Sequence, residues 1–227
     1  MTARDEILAR VKSALDRHDA APLPQHAALS SREVTLACQA QRDALTQQFE
    51  AMLTRAGGYF YVAENSQAVC DHITDIAARM HAKKAVGWHS PLLDRLGVAA
   101  RLAEAGVEFV AGAAGADKVA FIAEAAEAAV GVTAVDYALA DSGTLCLLAG
   151  KDQPRTASLL PPAHVAVLRP EQILRGLDDM FALLPAGEAL TSAVTLITGP
   201  SRTADIELTL VVGVHGPQQL HVILAGD

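Results

Sequence analysis

The chain has 227 residues, of which 51% are hydrophobic and 19% are charged, as is typical of one globular domain with a sizeable core. Its formal net charge of -8 argues against non-specific binding to nucleic acid or to anionic lipid, because both require a basic surface. There is neither a charge-free run of about 20 apolar residues nor a signal-peptide pattern, so we expect a cytoplasmic protein without a membrane partner. The three cysteines form no C-x-x-C pair, so we expect no redox centre on this chain.

Residues 1–30 are predicted to be an appendage of the main domain. Apolar residues at helical spacing between Ile7 and Leu15 predict an amphipathic helix, and residues 19–30, with two prolines, predict a linker. The helix is expected to dock on a neighbouring element or on a second subunit, as in a homo-oligomer. Residues 31–227 are the predicted α/β domain.

Short apolar runs then alternate with helical patterns. This alternation predicts an α/β fold, with a mostly parallel sheet covered by helices on both faces. The predicted helices in the first half are 32–55, 66–81, 91–104 and 117–128, and the predicted strands are 59–63, 85–88 and 107–110. The second half begins with two strand-like runs around a polar turn at residues 141–144. It continues with predicted strands over 164–168, 194–197 and 220–225, and with predicted helices over 171–184 and 203–212.

The segment from Gly199 to Glu207 has the highest density of polar groups. A Gly-Pro turn and the hydroxyls of Ser201 and Thr203 predict the start of a helix, where free backbone amides can bind an anion. Arg202 would then point at a carboxylate or phosphate group; the alternative is a surface ion pair with one of the acidic residues that follow it. The ligand-binding residues predicted here are Gly199, Pro200, Ser201, Arg202, Thr203 and Glu207.

A second polar cluster is the turn from Asp141 to Thr144. Its amides and hydroxyls are suited to a ligand, with Ser142, Gly143 and Thr144 as binding residues and Asp141 as a proton carrier. An ordinary Asx-type turn is the alternative interpretation.

Two histidines follow rigid or Gly-Pro-containing segments. His164, which comes after Pro161 and Pro162, is predicted either as a catalytic acid or base or as a hydrogen-bonded structural residue. His215 precedes Gly216 and is a predicted ligand-binding residue. No histidine or cysteine spacing supports a metal site, and no G-x-S-x-G, P-loop or G-x-G-x-x-G motif is present.

Several strings together closely resemble the lactate-utilisation protein C family, also called LUD-domain proteins. The longest are Thr198-Gly-Pro-Ser-Arg-Thr-Ala-Asp-Ile-Glu207 and Val212-Gly-Val-His-Gly-Pro217. The segment Val130–Thr144 adds further similarity, and the resemblance is strongest from about residue 130 to residue 225.

The resemblance implies a fold like that of the sugar-phosphate isomerases, CoA-transferases and formyltetrahydrofolate cyclo-ligases. It also implies a role in using L-lactate, together with iron–sulfur partner proteins that convert lactate to pyruvate, while this chain itself carries no cofactor. The expected ligand is then a small anion such as lactate or pyruvate. Two alternatives stay open: a stand-alone enzyme acting on a phosphorylated or acyl substrate, and a non-catalytic assembly subunit.

Overall fold

A computed structural model describes residues 4, 7–10, 12, 29–112, 117–150, 152–184, 192–204 and 210–226. Its helices, labelled α1–α8 in chain order, are Ser31–Ala40, Arg42–Arg55, Ser66–Arg79, Pro91–Leu96, Val98–Glu104, Lys118–Glu127, Thr156–Leu159 and Leu177–Leu183. Its strands, labelled β1–β12, are Tyr59–Ala63, Lys84–Trp88, Glu108–Gly112, Val130–Ala134, Tyr137–Leu139, Thr144–Leu148, Ala163–Leu168, Ile173–Leu174, Val194–Ile197, Arg202–Ala204, Leu210–Val212 and Gln219–Ala225.

A six-stranded sheet with the order β1-β12-β7-β4-β2-β3 forms the centre of the fold. All of its neighbouring strands are parallel. Along β7, Val165 and Val167 face one hydrophobic cluster, whereas Ala166 and Leu168 face the other. Because both faces of the strand are buried, its sequence is a continuous apolar run, as expected for a parallel sheet.

Different elements cover the two faces of this sheet. The first face packs against α3, α4 and α5, which contribute Ile73, Leu93 and Leu102. The second face packs against α2, α6 and a smaller sheet with the order β8-β5-β6-β9, as shown by the buried side chains of Phe49 and Phe121. The predicted α/β fold, with a mostly parallel sheet and helices on both faces, is therefore confirmed.

Two helices predicted as continuous are divided. The helix predicted over residues 32–55 is interrupted at Gln41, whose φ of -118° is not helical. The helix predicted over residues 91–104 is interrupted at Gly97, whose φ of 72° ends α4 in the left-handed conformation that favours glycine.

Two other helix predictions are wrong in part or entirely. In the segment 171–184 only α8 is an α-helix, because Ile173 and Leu174 pair with β5 in the smaller sheet. In the segment 203–212, β10 and β11 form an antiparallel pair in which Thr203 lies opposite Val211. Both are β-branched residues that favour strands, so pairing prevails over helix formation here.

The predicted N-terminal helix lies mostly outside the described residues. Residues 7–10 are helical, and the side chains of Ile7 and Leu8 are exposed. The division of the chain at residue 30 stays a prediction. Within the described ranges, no helix has the length and apolar character needed to cross a membrane.

Candidate anion-binding site

The loop after β9 is hydrogen-bonded to the loop before β12. We call residues 198–203 the arginine loop and residues 213–217 the histidine loop. The amide of Ser201 donates to the carbonyl oxygen of Pro217 at 2.8 Å, and the amide of Gly213 donates to the carbonyl oxygen of Ser201 at 2.9 Å. The two segments that dominate the sequence pattern are therefore joined through their backbones.

The arginine loop packs on the C-terminal end of α2. Gly199 has a φ of 91°, and a Cβ atom on it would lie 2.7 Å from the carbonyl oxygen of Ala56. Gly57 has a φ of 92°, and a Cβ atom on it would overlap the guanidinium of Arg202. Both positions thus require glycine for their conformation and for their close contacts. The side chain of Arg202 therefore packs against the C-terminal end of α2.

Arg202 is exposed and has no ion-pair or hydrogen-bond partner among the described residues. The last carbonyl groups of α2 carry partial negative charge, which favours a cation at this position. A guanidinium has five N–H donors, so Arg202 keeps donors for a carboxylate or phosphate group. Asp205 and Glu207, the acidic residues of the alternative ion pair, lie outside the described residues.

Part of the polar turn between β5 and β6 joins the same cluster. The hydroxyls of Thr144 and Thr198 are hydrogen-bonded at 2.7 Å, which ties the turn to the arginine loop. Gly143 has a φ of 65°, and a Cβ atom on it would overlap the backbone nitrogen of Leu53 in α2. The structure therefore brings the turn and the arginine loop onto one helix end, with Thr144 itself buried.

The hydrogen bonds of Asp141 are made with residues outside the arginine loop. Its amide donates to the carbonyl oxygen of Arg175 at 3.0 Å, and its carboxylate accepts a hydrogen bond from Ser142 Oγ at 2.9 Å. The carboxylate also lies against Gly176, in the turn between β8 and α8. Asp141 is exposed, and its predicted role in proton transfer stays a prediction.

His164 lies in the interior of the sheet. It is fully buried in β7 between β4 and β12, and its Nε2 is hydrogen-bonded to Thr133 Oγ1 at 2.9 Å. Burial, followed by the proximity of His221, lowers the pKa of His164 to about 3. A neutral and inaccessible imidazole favours the structural role, one of the two alternatives predicted for His164, over that of an acid or base, which stays a prediction.

The cluster lies at the amino ends of β1, β7 and β12. The carbonyl oxygen of Pro162, one residue before β7, accepts hydrogen bonds from the amides of Gln218 and Gln219. The histidine loop leads directly into β12, and His215 is exposed on it. Backbone contacts therefore hold the loops before two central strands together beside the arginine loop.

The predicted helix N-terminus is absent from this site. Residues Arg202–Ala204 form β10, so the amides after Gly199 belong to a loop and a strand. Pro200 is half-buried within the loop, and Thr203 is paired with β11. The helix predicted to begin here is therefore wrong, and the prediction that these residues bind an anion now depends on the cationic side chain of Arg202.

Three residues of the cluster were missed as site residues in the sequence. In the sequence, Gly57 follows the helix predicted over residues 32–55, Pro162 precedes His164, and Thr198 belongs to the family string. Their roles arise from tertiary contacts with Arg202, Gln218 and Thr144. The one local signal was the Gly-Gly pair at 57–58, since a positive φ after a helix commonly marks a close approach.

The part of the chain that the structure describes contains no group of three or more histidine, cysteine, aspartate or glutamate side chains able to hold a metal.

A sequence model of the LUD domain matches residues 46–225, which include both sheets and the loop cluster. The chain belongs to the LUD domain family. The resemblance seen in the sequence strings is thereby confirmed over more than half of the chain.

Several curated relatives of this LUD-domain chain are named lactate utilization protein C. The relative from Halalkalibacterium halodurans is 35% identical over 162 residues, which are 68% of either chain. The relative from Bacillus subtilis is 40% identical over 110 residues, covering 47% of this chain and 46% of the relative. An Escherichia coli protein named uncharacterized protein YkgG is 39% identical over 110 residues, 47% of this chain and 48% of that protein. Some matches therefore span only about half of the relatives.

A solved structure shares the fold of this LUD-domain chain. The crystal structure of a DUF162 family protein from Deinococcus radiodurans has a TM-score of 0.54 and 21% sequence identity. The superposition covers 82% of this chain and 98% of that one. At this identity the likeness concerns the fold alone.

Proposed function

We propose that this chain is a subunit of an L-lactate utilisation system that converts lactate to pyruvate together with iron–sulfur partner proteins. Its part is to bind a small anionic ligand, lactate or pyruvate, at the cluster formed by the arginine loop, the histidine loop and the end of α2. The names of its relatives support the pathway. The system is expected to operate in the cytoplasm.

The observation that carries the binding role is the position of Arg202. Its guanidinium rests on Gly57, is exposed, and has no carboxylate partner among the described residues. The hydroxyls of Ser201 and Thr198 belong to the same loop and are further hydrogen-bonding groups for an α-hydroxy or α-keto acid. An arginine that binds a carboxylate with two parallel hydrogen bonds fixes both the position and the orientation of the ligand.

The placement of the thiols supports assigning electron transfer to the partners. Cys70 packs on one face of the central sheet, whereas Cys38 and Cys146 pack on the other. Burial raises the pKa of all three thiols, that of Cys146 to about 12. Cluster ligation requires several converging thiolates, so the iron–sulfur clusters are proposed to belong to other chains.

The test is lactate turnover by the assembled complex at subsaturating lactate. Replacing Arg202 by Ala should lower kcat/KM at least about tenfold, because a charged hydrogen bond to the ligand is lost. Arg32→Ala is the matched control, since Arg32 is also exposed and lies on α1, away from the loops. Unchanged turnover in Arg202→Ala would remove the binding role, while loss of lactate-dependent growth on deletion of the chain would still support the pathway.

The two alternative functions predict different results in the same preparation. A stand-alone enzyme would turn over a phosphorylated or acyl substrate without any partner. An assembly subunit would support full turnover with Arg202→Ala as long as the complex forms. The proposed function therefore requires both the partners and the guanidinium.

A further inference from the structure

At the carboxyl ends of β2 and β4, two neighbouring strands of the central sheet, the chain leaves in opposite directions. After β2 the chain proceeds to its neighbour β3 through α4 and α5, which pack on one face of the sheet. After β4 it proceeds in the opposite direction, to β7, through the smaller sheet on the other face. Adjacent strands whose connections diverge in this way leave a crevice at their carboxyl ends, where open α/β sheets bind ligands.

Two buried polar groups on β2 and α7 have no hydrogen-bond partner among the described residues. Trp88 is the last residue of β2, is 3% exposed, and its indole Nε1 has no hydrogen-bond partner within the described ranges. Thr156 begins α7, which contacts both β2 and β4, and its buried hydroxyl is also unpartnered there. Buried donors normally have an acceptor, so each of these two groups has a hydrogen bond left to donate.

The loop before α7 brings a cation to the same edge. Gly112 ends β3 beside Trp88, and a Cβ atom on it would lie 2.7 Å from Pro154 Cδ, so the loop closes over the strand end. Arg155 comes next in the chain, is exposed, and has no ion-pair partner in the part of the structure described. His89, directly after β2, is exposed and lies 3.4 Å from Asp94 Oδ1, which orients its ring.

We propose that this crevice binds a small oxyanion, the carboxylate or phosphate group of a metabolite. The crevice is defined by the carboxyl ends of β2, β3 and β4, with Arg155 as its cation. The indole N–H of Trp88 and the hydroxyl of Thr156 are its buried donors. It is separate from the arginine loop, which lies at the amino ends of β1, β7 and β12, and it does not depend on the function proposed for that loop.

Trp88 is the only tryptophan of the chain, so it reports directly on this crevice. The full chain is titrated separately with pyruvate and with inorganic phosphate, and the indole N–H resonance and the tryptophan fluorescence are recorded. A saturable change with pyruvate shows that a carboxylate group binds, and a saturable change with inorganic phosphate shows that a phosphate group binds. No saturable change with either anion overturns the proposal.

Variants separate this site from the other one. Arg155→Gln should raise the Kd measured at Trp88 at least about tenfold, a loss of about 1.4 kcal/mol of binding free energy. Arg202→Gln and the surface control Arg32→Gln should leave it unchanged. A response of Trp88 that survives Arg155→Gln but is lost in Arg202→Gln would overturn the proposal, because the signal would then originate at the arginine loop. Thermal melting of each variant establishes that it is folded.

Discussion

At the scale of single residues, the turn between β5 and β6 depends on a glycine that has no room for a side chain. Gly143 and Gly97 have similar φ values, 65° and 72°, but a Cβ atom would overlap the backbone of α2 only at Gly143. Gly97→Ala should therefore lower the free energy of unfolding by roughly 1 kcal/mol, the conformational cost alone. Gly143→Ala should lower it by roughly 3 kcal/mol, since backbone must also move. Urea unfolding measures both, and equal losses would contradict the close packing.

Two buried histidines predict how stability depends on pH. Burial lowers the pKa of His164 to about 3 and that of His221 to about 4, with Arg79 adding to the effect at His221. The unfolded chain has the ordinary histidine pKa, 6.5, so between pH 6.5 and 4 it binds more protons than the folded chain. The free energy of unfolding therefore has its full value above pH 6.5. It decreases as the pH falls, by up to about 1.4 kcal/mol per pH unit for each histidine.

The measurement is the free energy of unfolding at several values between about pH 5 and 6.5. His221→Gln retains hydrogen-bonding groups for Tyr61 and Gln219 but cannot take up a proton. Its stability should vary with pH less steeply than that of the unmodified chain. Parallel curves for the two proteins would show that His221 ionises in the folded chain and would contradict its assigned burial.

At the scale of secondary-structure elements, one buried carboxylate stabilises the contact between α1 and α8. Asp179 Oδ2 accepts a hydrogen bond from Arg175 Nε at 2.6 Å and lies 3.8 Å from Cys38 Sγ, which is in α1. Asp179→Asn should lower the free energy of unfolding by roughly 1–3 kcal/mol, because it weakens a charged network that is largely buried. The neighbouring Asp178 is exposed and also in the first turn of α8, so Asp178→Asn controls for the helix dipole.

In urea unfolding, Asp178→Asn should reduce stability by less than about 1 kcal/mol. A loss as large as that of Asp179→Asn would assign the effect to charge at the helix start and not to the buried contact. The melting of α1 alone, seen as a partial loss of helical signal in Asp179→Asn, would support the same contact.

Elements with local signals were predictable from the sequence, and elements defined by distant partners were not. The Ser90-Pro91 pair, which favours a helix start at residue 91, and the continuous apolar run of β7 are local patterns, and both features are present in the structure. The segment 203–212 has no local feature that shows its partner, because β10 and β11 are specified by pairing with each other. The same holds for the candidate site. Arg202 could be predicted from the polar residues next to it in the sequence, whereas Gly57 contacts Arg202 only because α2 packs against the arginine loop.

At the scale of the whole molecule, the described core begins at α1. Val34 is the first buried hydrophobic residue in the described ranges, and Ile7 and Leu8 are exposed. Removing residues 1–28 should therefore change the melting temperature by less than about 4 °C, which corresponds to roughly 1 kcal/mol. If the N-terminal helix docks on a partner subunit, the same truncation should abolish assembly. A large fall in melting temperature would show instead that the segment belongs to the core.

The two proposed sites lie at opposite ends of the strands of the central sheet. The arginine loop lies at the amino ends of the strands, and the crevice beside Trp88 lies at the carboxyl ends. With a net charge of -8, the chain as a whole repels a small anion, so an arginine without a nearby carboxylate is a favourable place for one to bind. Arg202 and Arg155 are exposed arginines of this kind within the described ranges.

The most direct test of the central proposal is calorimetric titration of the purified chain with pyruvate and with L-lactate. Arg202→Gln should weaken the binding at the arginine loop at least about tenfold, and Arg32→Gln should leave it unchanged. Titrations repeated in an Arg155→Gln background remove any contribution from the crevice beside Trp88. Equal affinity with and without the guanidinium of Arg202 in that background would contradict the anion-binding role of the arginine loop.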